Sequence, residues 1–191
     1  MPVSASNSAS ANLKLTLNTP LVLTGGVFCF YPMDTDIPFV RQIGEITISC
    51  DKSRLDRDFI HGELAQTYWA KGIPRATLDR AIENSLCFGV YRGDCQIAYA
   101  AVVTDQATFA WLCDVIVTES ERGHGIGKLL IGTLITHPGL QGLRRFLLAT
   151  KDAHGLYAQS GFAPLGEPQR FMEIRNVNPY KLCLPNEAAG N

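Results

Sequence analysis

The sequence predicts an α/β (α+β) fold, a mixed sheet with helices on its faces, and three observations carry that reading. Two helical periodicities come early, strand-like runs then follow one another directly, and a strand, a helix and a further strand close the pattern. The last triplet is a crossover, whereas the consecutive runs need only turns between them.

Residues 1 to about 12 are rich in Ser, Ala and Asn, and the stretch reaching Gly44 is poor in charge and broken by Pro20, Gly25, Gly26, Pro32 and Pro38. Residues 1–44 are therefore read as a weakly structured N-terminal extension. From Glu45, Ile46, Ile48 and Cys50 alternate with Thr47 and Ser49, the period of a strand. Asp51 and Ser53 supply polar start signals, and Leu55, Phe59, Ile60, Leu64 and Tyr68 recur at helical spacing. Residues 69–73 form a loop before a second helix that follows Pro74 and carries Leu78, Ile82 and Leu86.

Residues 86–91 and 96–103 flank a turn at Gly93-Asp94 and read as a hairpin. In residues 108–117, Phe109, Trp111, Cys113, Val115 and Val117 share one face, and Ala110, Leu112 and Ile116 the other. Apolar residues on both faces predict a central, covered strand, with Asp114 as the exception. Residues 119–137 read as a turn entering a helix, with Ile126, Leu129, Leu130 and Leu134 on one side and His137-Pro138-Gly139 as the stop. A strand over 145–149, a short helix over 152–160 ended by Gly161, and a final strand over 171–174 complete the domain, placed at 45–175 with a C-terminal tail at 176–191.

Composition narrows the function. Seventeen Lys and Arg nearly balance eighteen Asp and Glu, so the dense positive field that phosphate-backbone binding needs is missing, and nucleic acid is not an expected partner. The six cysteines have no C-x-x-C pair and the four histidines no H-x-x-x-H spacing, so no metal is expected and the thiols are read as reduced. The apolar run over 21–31 has one preceding basic residue, Lys14, and is interrupted by Gly25-Gly26. It is too short for a bilayer, which takes about 20 residues. A cytoplasmic protein without a membrane partner is expected.

The strongest local signal is Arg122-Gly123-His124-Gly125-Ile126-Gly127-Lys128, between a buried strand and a helix. Glycines there strip side chains from a helix N-terminus, where free N–H groups and the helix dipole favour an anion. A nucleoside-triphosphate loop would need Gly where Arg122 stands and Ser or Thr where Leu129 stands. A dinucleotide fingerprint would need its third Gly at Lys128 or at Leu130, so both registers fail.

What remains is R-x-x-G-x-G after a V-x-V strand end, and here the chain resembles the GNAT superfamily of acyl-CoA-dependent N-acyltransferases. A second motif, Asp152-Ala153-His154-Gly155-Leu156-Tyr157-Ala158-Gln159-Ser160-Gly161-Phe162, looks like that family's L-Y-x-x-x-G-F helix end. The resemblance spans about residues 45–174 and implies a mostly antiparallel central sheet with a V-shaped CoA-binding gap between two adjacent strands. It implies that Arg122, Gly123, His124, Gly125, Ile126, Gly127 and Lys128 wrap the CoA pyrophosphate, and that Val115, Ile116 and Val117 pair with the pantetheine arm. It also implies acetyl-CoA as cosubstrate, and Tyr157 as the acid that protonates the departing thiolate. Thr150 stands where many members carry a cofactor-contacting asparagine.

Direct attack by the amine of a small-molecule acceptor is the expected reaction, with a backbone N–H of Val115 or Ile116 on the oxyanion. Asp114 is a candidate general base, and the same residue type also serves as a structural carboxylate. His154 lies one turn before Tyr157, while Tyr68, Trp69 and Lys71 fall where the resemblance puts the acceptor pocket. Cys113 lacks an evident His partner for a covalent route. A non-catalytic acyl-CoA-binding or regulatory module is the alternative. The superfamily contains monomers and dimers, so a homodimer stays open.

Overall fold

In the computed structural model, which describes residues 38–177, 179 and 180, six strands lie side by side in chain order. They are β1 (Val40–Ile43), β2 (Ile46–Ser49), β3 (Leu86–Arg92), β4 (Cys95–Thr104), β5 (Phe109–Val117) and β6 (Arg145–Leu148). Every neighbouring pair is antiparallel except β5 and β6. Only that parallel pair needs a long connection, and helix α3 (Ile126–Leu134) supplies it. The mixed sheet with flanking helices is the one the element pattern predicts, and its mostly antiparallel pairing is the one the resemblance implies.

Two apolar layers cover the sheet. On one face α1 (Arg57–Leu64) and α2 (Arg75–Glu83) bring Ile60, Leu64, Leu78 and Ile82 against Cys87, Tyr99, Ala101 and Ile116. On the other, α3 and the short α4 (His154–Ala158) bring Ile126, Leu130, Ile131, Leu134 and Tyr157 against Phe88, Val90, Ala100, Val102, Ala110 and Leu112. Helix α1 starts where the Asp56 carboxylate accepts the Asp58 and Phe59 N–H groups at 3.1 and 2.9 Å, satisfying two otherwise orphan donors. His137 closes the α3 end, its Nδ1 accepting the Gly139 N–H at 3.1 Å.

Four local expectations change. The sheet begins before residue 45, because β1 pairs with β2 across a turn at Gly44, whose φ of 58° suits glycine. Leu86 belongs to β3 alone, since α2 ends at Glu83. No strand forms over 171–174: Met172 and Ile174 stand fully in solvent and no sheet edge takes up their backbone. Finally, the single alternation expected along β5 breaks at Asp114. The rest of the expected extension, 1–37, and the tail from 181 onward lie outside the described residues.

That break is a β-bulge. Ala101 pairs with Cys113, but Tyr99 pairs with Ile116, so β5 spends one residue more than β4 over the same span. Asp114 absorbs the excess with φ 53°, a left-handed conformation that Asp tolerates better than most residues. An extra residue inverts the facing of everything after it. Val115 and Val117 consequently join Ala110 and Leu112 on the α3 face, while Ile116 joins Cys113 on the α1–α2 face.

Candidate active site

The bulge lies where β5 loses one neighbour. Pairing with β6 runs from Phe109 and Arg145 to Leu112 and Leu148 and then stops, whereas pairing with β4 continues to Val117. Strand β6 ends there, so the β6-facing edge of residues 113–117 has no strand partner among the described residues. Backbone groups on that edge, such as those of Val115 and Ile116, are available to an extended ligand, whereas the Val117 carbonyl is taken by Arg122.

At the tip of β5 the chain turns through residues 119–125 into α3. Gly123 and Gly125 hold φ of 79° and 82°, and a Cβ at either would meet no atom within 4 Å, so the lack of side chains leaves open space over the helix start. Gly125 is the N-cap of α3; no side chain caps this end and no acidic residue stands in the first turn. A hollow of about 360 Å³ opens here, lined by Val117, Arg122, Gly123, Gly125, Gly127, Leu156 and their neighbours. A ligand pyrophosphate fits these features, because exposed N–H groups at a helix start recognise an anion.

Side-chain charge around the hollow is already managed. Glu121 lines it but is held by Arg92 through bonds of 3.1 and 2.9 Å, and this contact lowers its pKa. Arg122 turns back so that its Nε donates to the Val117 carbonyl at 2.9 Å, while its guanidinium lies 4.0 Å from Glu63. The loop is thereby tied to the strand tip and to α1. His124 and Lys128 are exposed.

Tyr157 rises from α4 on the far bank, 9% exposed and edge-on to Phe162 with ring centroids 6.0 Å apart. Among the described residues its hydroxyl makes no hydrogen bond. Burial, then the nearby Tyr68 and Asp152, raise its pKa, so it stays protonated at neutral pH as an acid must. The Thr150 oxygen accepts the Ala153 N–H at 3.1 Å and so supports the start of α4. His154 is exposed while Tyr157 is buried, so the two do not share an environment. Gly155 also faces open space.

The opposite wall is built from remote segments. Asp114 is half-buried, and the Trp69 indole N–H donates to it at 3.2 Å, so its partner is neither a backbone group nor an arginine. Burial raises the Asp114 pKa, with the Trp69 and Cys113 hydrogen bonds opposing that shift in part. Tyr68 packs edge-on against Trp69 at 4.8 Å, and its hydroxyl accepts the Lys151 N–H at 3.2 Å, bridging to the end of β6. Burial first, then Asp114, raises the pKa of Tyr180, which packs under this wall. Sequence reasoning missed Tyr180, which no periodicity or motif marks within the tail. Cys113 is pushed up to about 12, chiefly by burial, and is not a thiolate at neutral pH.

The Acetyltransferase (GNAT) family model matches residues 56–162, more than half of the chain and spanning both walls and the loop. The chain belongs to the GNAT acetyltransferase family. A solved GNAT-family protein of Xanthomonas campestris pv. campestris is 49% identical, with a TM-score of 0.70 over 73% of this chain and 99% of that one. A Gibberella zeae protein that carries an acetyltransferase name is 29% identical over 140 residues, 61% of this chain and 78% of its own. The Escherichia coli ribosomal-protein-S18-alanine N-acetyltransferase shares the fold at 20% identity, with a TM-score of 0.51 over 61% of this chain and 76% of that one. Family membership supports acyl transfer from an acyl-CoA. Among the described residues, no helix is long and apolar enough to cross a membrane and no His, Cys, Asp or Glu cluster could hold a metal ion.

Proposed function

We propose that the protein transfers an acetyl group from acetyl-CoA to the amine of a small acceptor by direct attack in a ternary complex. The observation that carries the reading is the meeting of an uncapped helix start, a strand edge freed by the end of the β5–β6 ladder, and a largely buried tyrosine whose hydroxyl makes no hydrogen bond among the described residues. In this reading the residues from Arg122 to Lys128 receive the pyrophosphate, and the edge of Val115, Ile116 and Val117 receives the pantetheine arm. Thr150 supports the wall of α4 and contacts the cosubstrate.

The acceptor enters as an ammonium. One proton passes to the Asp114 carboxylate, and the free nitrogen lone pair then attacks the thioester carbon. A backbone N–H at the bulge, from Val115 or Ile116, supports the charge that develops on the carbonyl oxygen. As the C–S bond breaks, Tyr157 gives its proton to sulfur, and the second proton leaving nitrogen replaces it. The products are an amide, CoA with a free thiol, and one proton released through Asp114.

Cys113 has no part in this route. The free thiols Cys50, Cys87, Cys95 and Cys113 fit a reducing, cytoplasmic setting. The test is Tyr157→Phe. Thiol release from acetyl-CoA in the presence of an amine should fall on the order of 100-fold, while acetyl-CoA binding persists. Binding by the wild type with no turnover for Tyr157→Phe to remove would instead mark a non-catalytic CoA-binding module.

A further inference from the structure

Among the described residues, the Asp114 carboxylate on the acceptor wall has no ion-pair partner. The Asp114 side chain accepts from the Trp69 indole N–H, and among the described residues no lysine or arginine bonds to it or acts on its ionisation. A half-buried carboxylate whose only donors among the described residues are neutral, the Trp69 indole and the Cys113 thiol, is left short of positive charge. Beside it, Trp69 and Tyr68 are 44% and 58% exposed, unusual for large aromatic rings packed against each other.

The neighbouring arginines are committed elsewhere, while Lys71, two residues beyond Trp69, is exposed and makes no hydrogen bond or ion pair among the described residues. Arg122 is spent on the Val117 carbonyl and Glu63. On α1 and α2, Arg57 pairs with Asp79 and Glu83, and Arg75 with Asp58 and Asp79. The Lys151 ammonium lies 5.8 Å from the centre of the Tyr68 ring, within the range of a cation–π contact.

We propose that the acceptor is a small primary amine with an apolar body and no carboxylate or phosphate, its ammonium on Asp114 and its body against Trp69 and Tyr68. This inference rests on the reading of the chain as an acetyl-CoA-dependent enzyme with Asp114 on the acceptor side. Charge complementarity selects the occupant. An ammonium supplies what Asp114 lacks, and the two aromatic faces favour both a cation and apolar area. A second, anionic group on the acceptor would meet the same carboxylate and no free guanidinium. Trp69 is then a specificity-determining residue that also orients Asp114.

The experiment compares phenethylamine with phenylalanine, which differ by one carboxylate, in thiol release from acetyl-CoA, with acetyl-CoA binding measured on the same protein. The expected result is a kcat/KM at least about tenfold higher for phenethylamine, since like charges placed together are strongly disfavoured. Trp69→Phe, which keeps a ring but loses the N–H, should raise KM for phenethylamine several-fold more than it lowers kcat. Acetyl-CoA binding with phenylalanine used as well or better overturns the inference and leaves the enzyme reading standing. A preference for phenylalanine that disappears in Lys151→Ala would overturn it too, by identifying Lys151 as the reader of a carboxylate. Binding of acetyl-CoA with neither amine acetylated refutes the acceptor class. Absence of acetyl-CoA binding removes the underlying reading and the inference with it.

Discussion

The two walls of the β5–β6 gap are made differently. The proposed donor wall is one contiguous piece, the strand tip, loop and helix start from Val115 to Lys128, and it presents mainly backbone. The acceptor wall is assembled from side chains brought together over long separations: Trp69 reaches Asp114 across 45 residues, and Tyr68 reaches Lys151 across 83. Backbone recognition of a diphosphate requires glycines at fixed spacing and so leaves a local imprint. Side-chain recognition of an acceptor requires only that the fold deliver the right groups, and it leaves none.

That contrast sets the expected effects. Asp114→Asn keeps an acceptor for the Trp69 indole but removes the base, so turnover should fall on the order of 100-fold while acetyl-CoA binding is unaffected. The pH profile adds a signed test. Burial raises the Asp114 pKa above the ordinary carboxylate value, so wild-type activity should be low where Asp114 is protonated and rise with pH through that raised pKa. This limb should be missing from the residual activity of Asp114→Asn. An unchanged limb would move the base elsewhere.

Stability should respond to a group that belongs to neither wall. His137 is buried between the rings of Phe39 and Phe88, and burial lowers its pKa from 6.5 to about 4. Its folded form therefore resists protonation while the unfolded chain takes a proton below pH 6.5. Stability is lost as pH falls through this window, by roughly 3 kcal/mol once pH is below 4. His137→Asn keeps a side-chain acceptor for the Gly139 N–H without titrating, and its urea midpoint should fall less steeply between pH 7 and pH 4.

Smaller effects test the backbone character of the donor wall. Lys128→Ala and Thr150→Ala should each weaken acetyl-CoA binding by only about 2- to 5-fold, because exposed charges and single hydroxyls add little to a site built on N–H groups. Cys113→Ala should retain turnover, since the buried thiol is protonated at neutral pH.

Most of the architecture was legible because the early strand, both early helices, the hairpin and the crossover each carry a clear period or turn. The errors have physical causes. Residues 171–174 are mostly apolar, but no sheet edge takes them up, so composition without a partner makes no strand. The β5 alternation was extended through Asp114 because an extra residue is invisible until the neighbouring strand shows the register. The glycine loop stands out in the sequence by its spacing and Tyr157 by its place in a motif that resembles the family's helix end, whereas the Trp69–Asp114 bond and the approach of Tyr180 depend on packing that no local window contains.

The central claim is that the helix start at Gly125 receives the diphosphate of acetyl-CoA. Calorimetric titration of the wild type and Gly125→Glu with acetyl-CoA tests it most directly. The substitution adds a negative side chain at a position with φ 82° that faces open space. Circular dichroism would check that the variant remains folded. The account predicts saturable wild-type binding that the variant loses; no binding by the wild type, or equal binding by a folded variant, would contradict it.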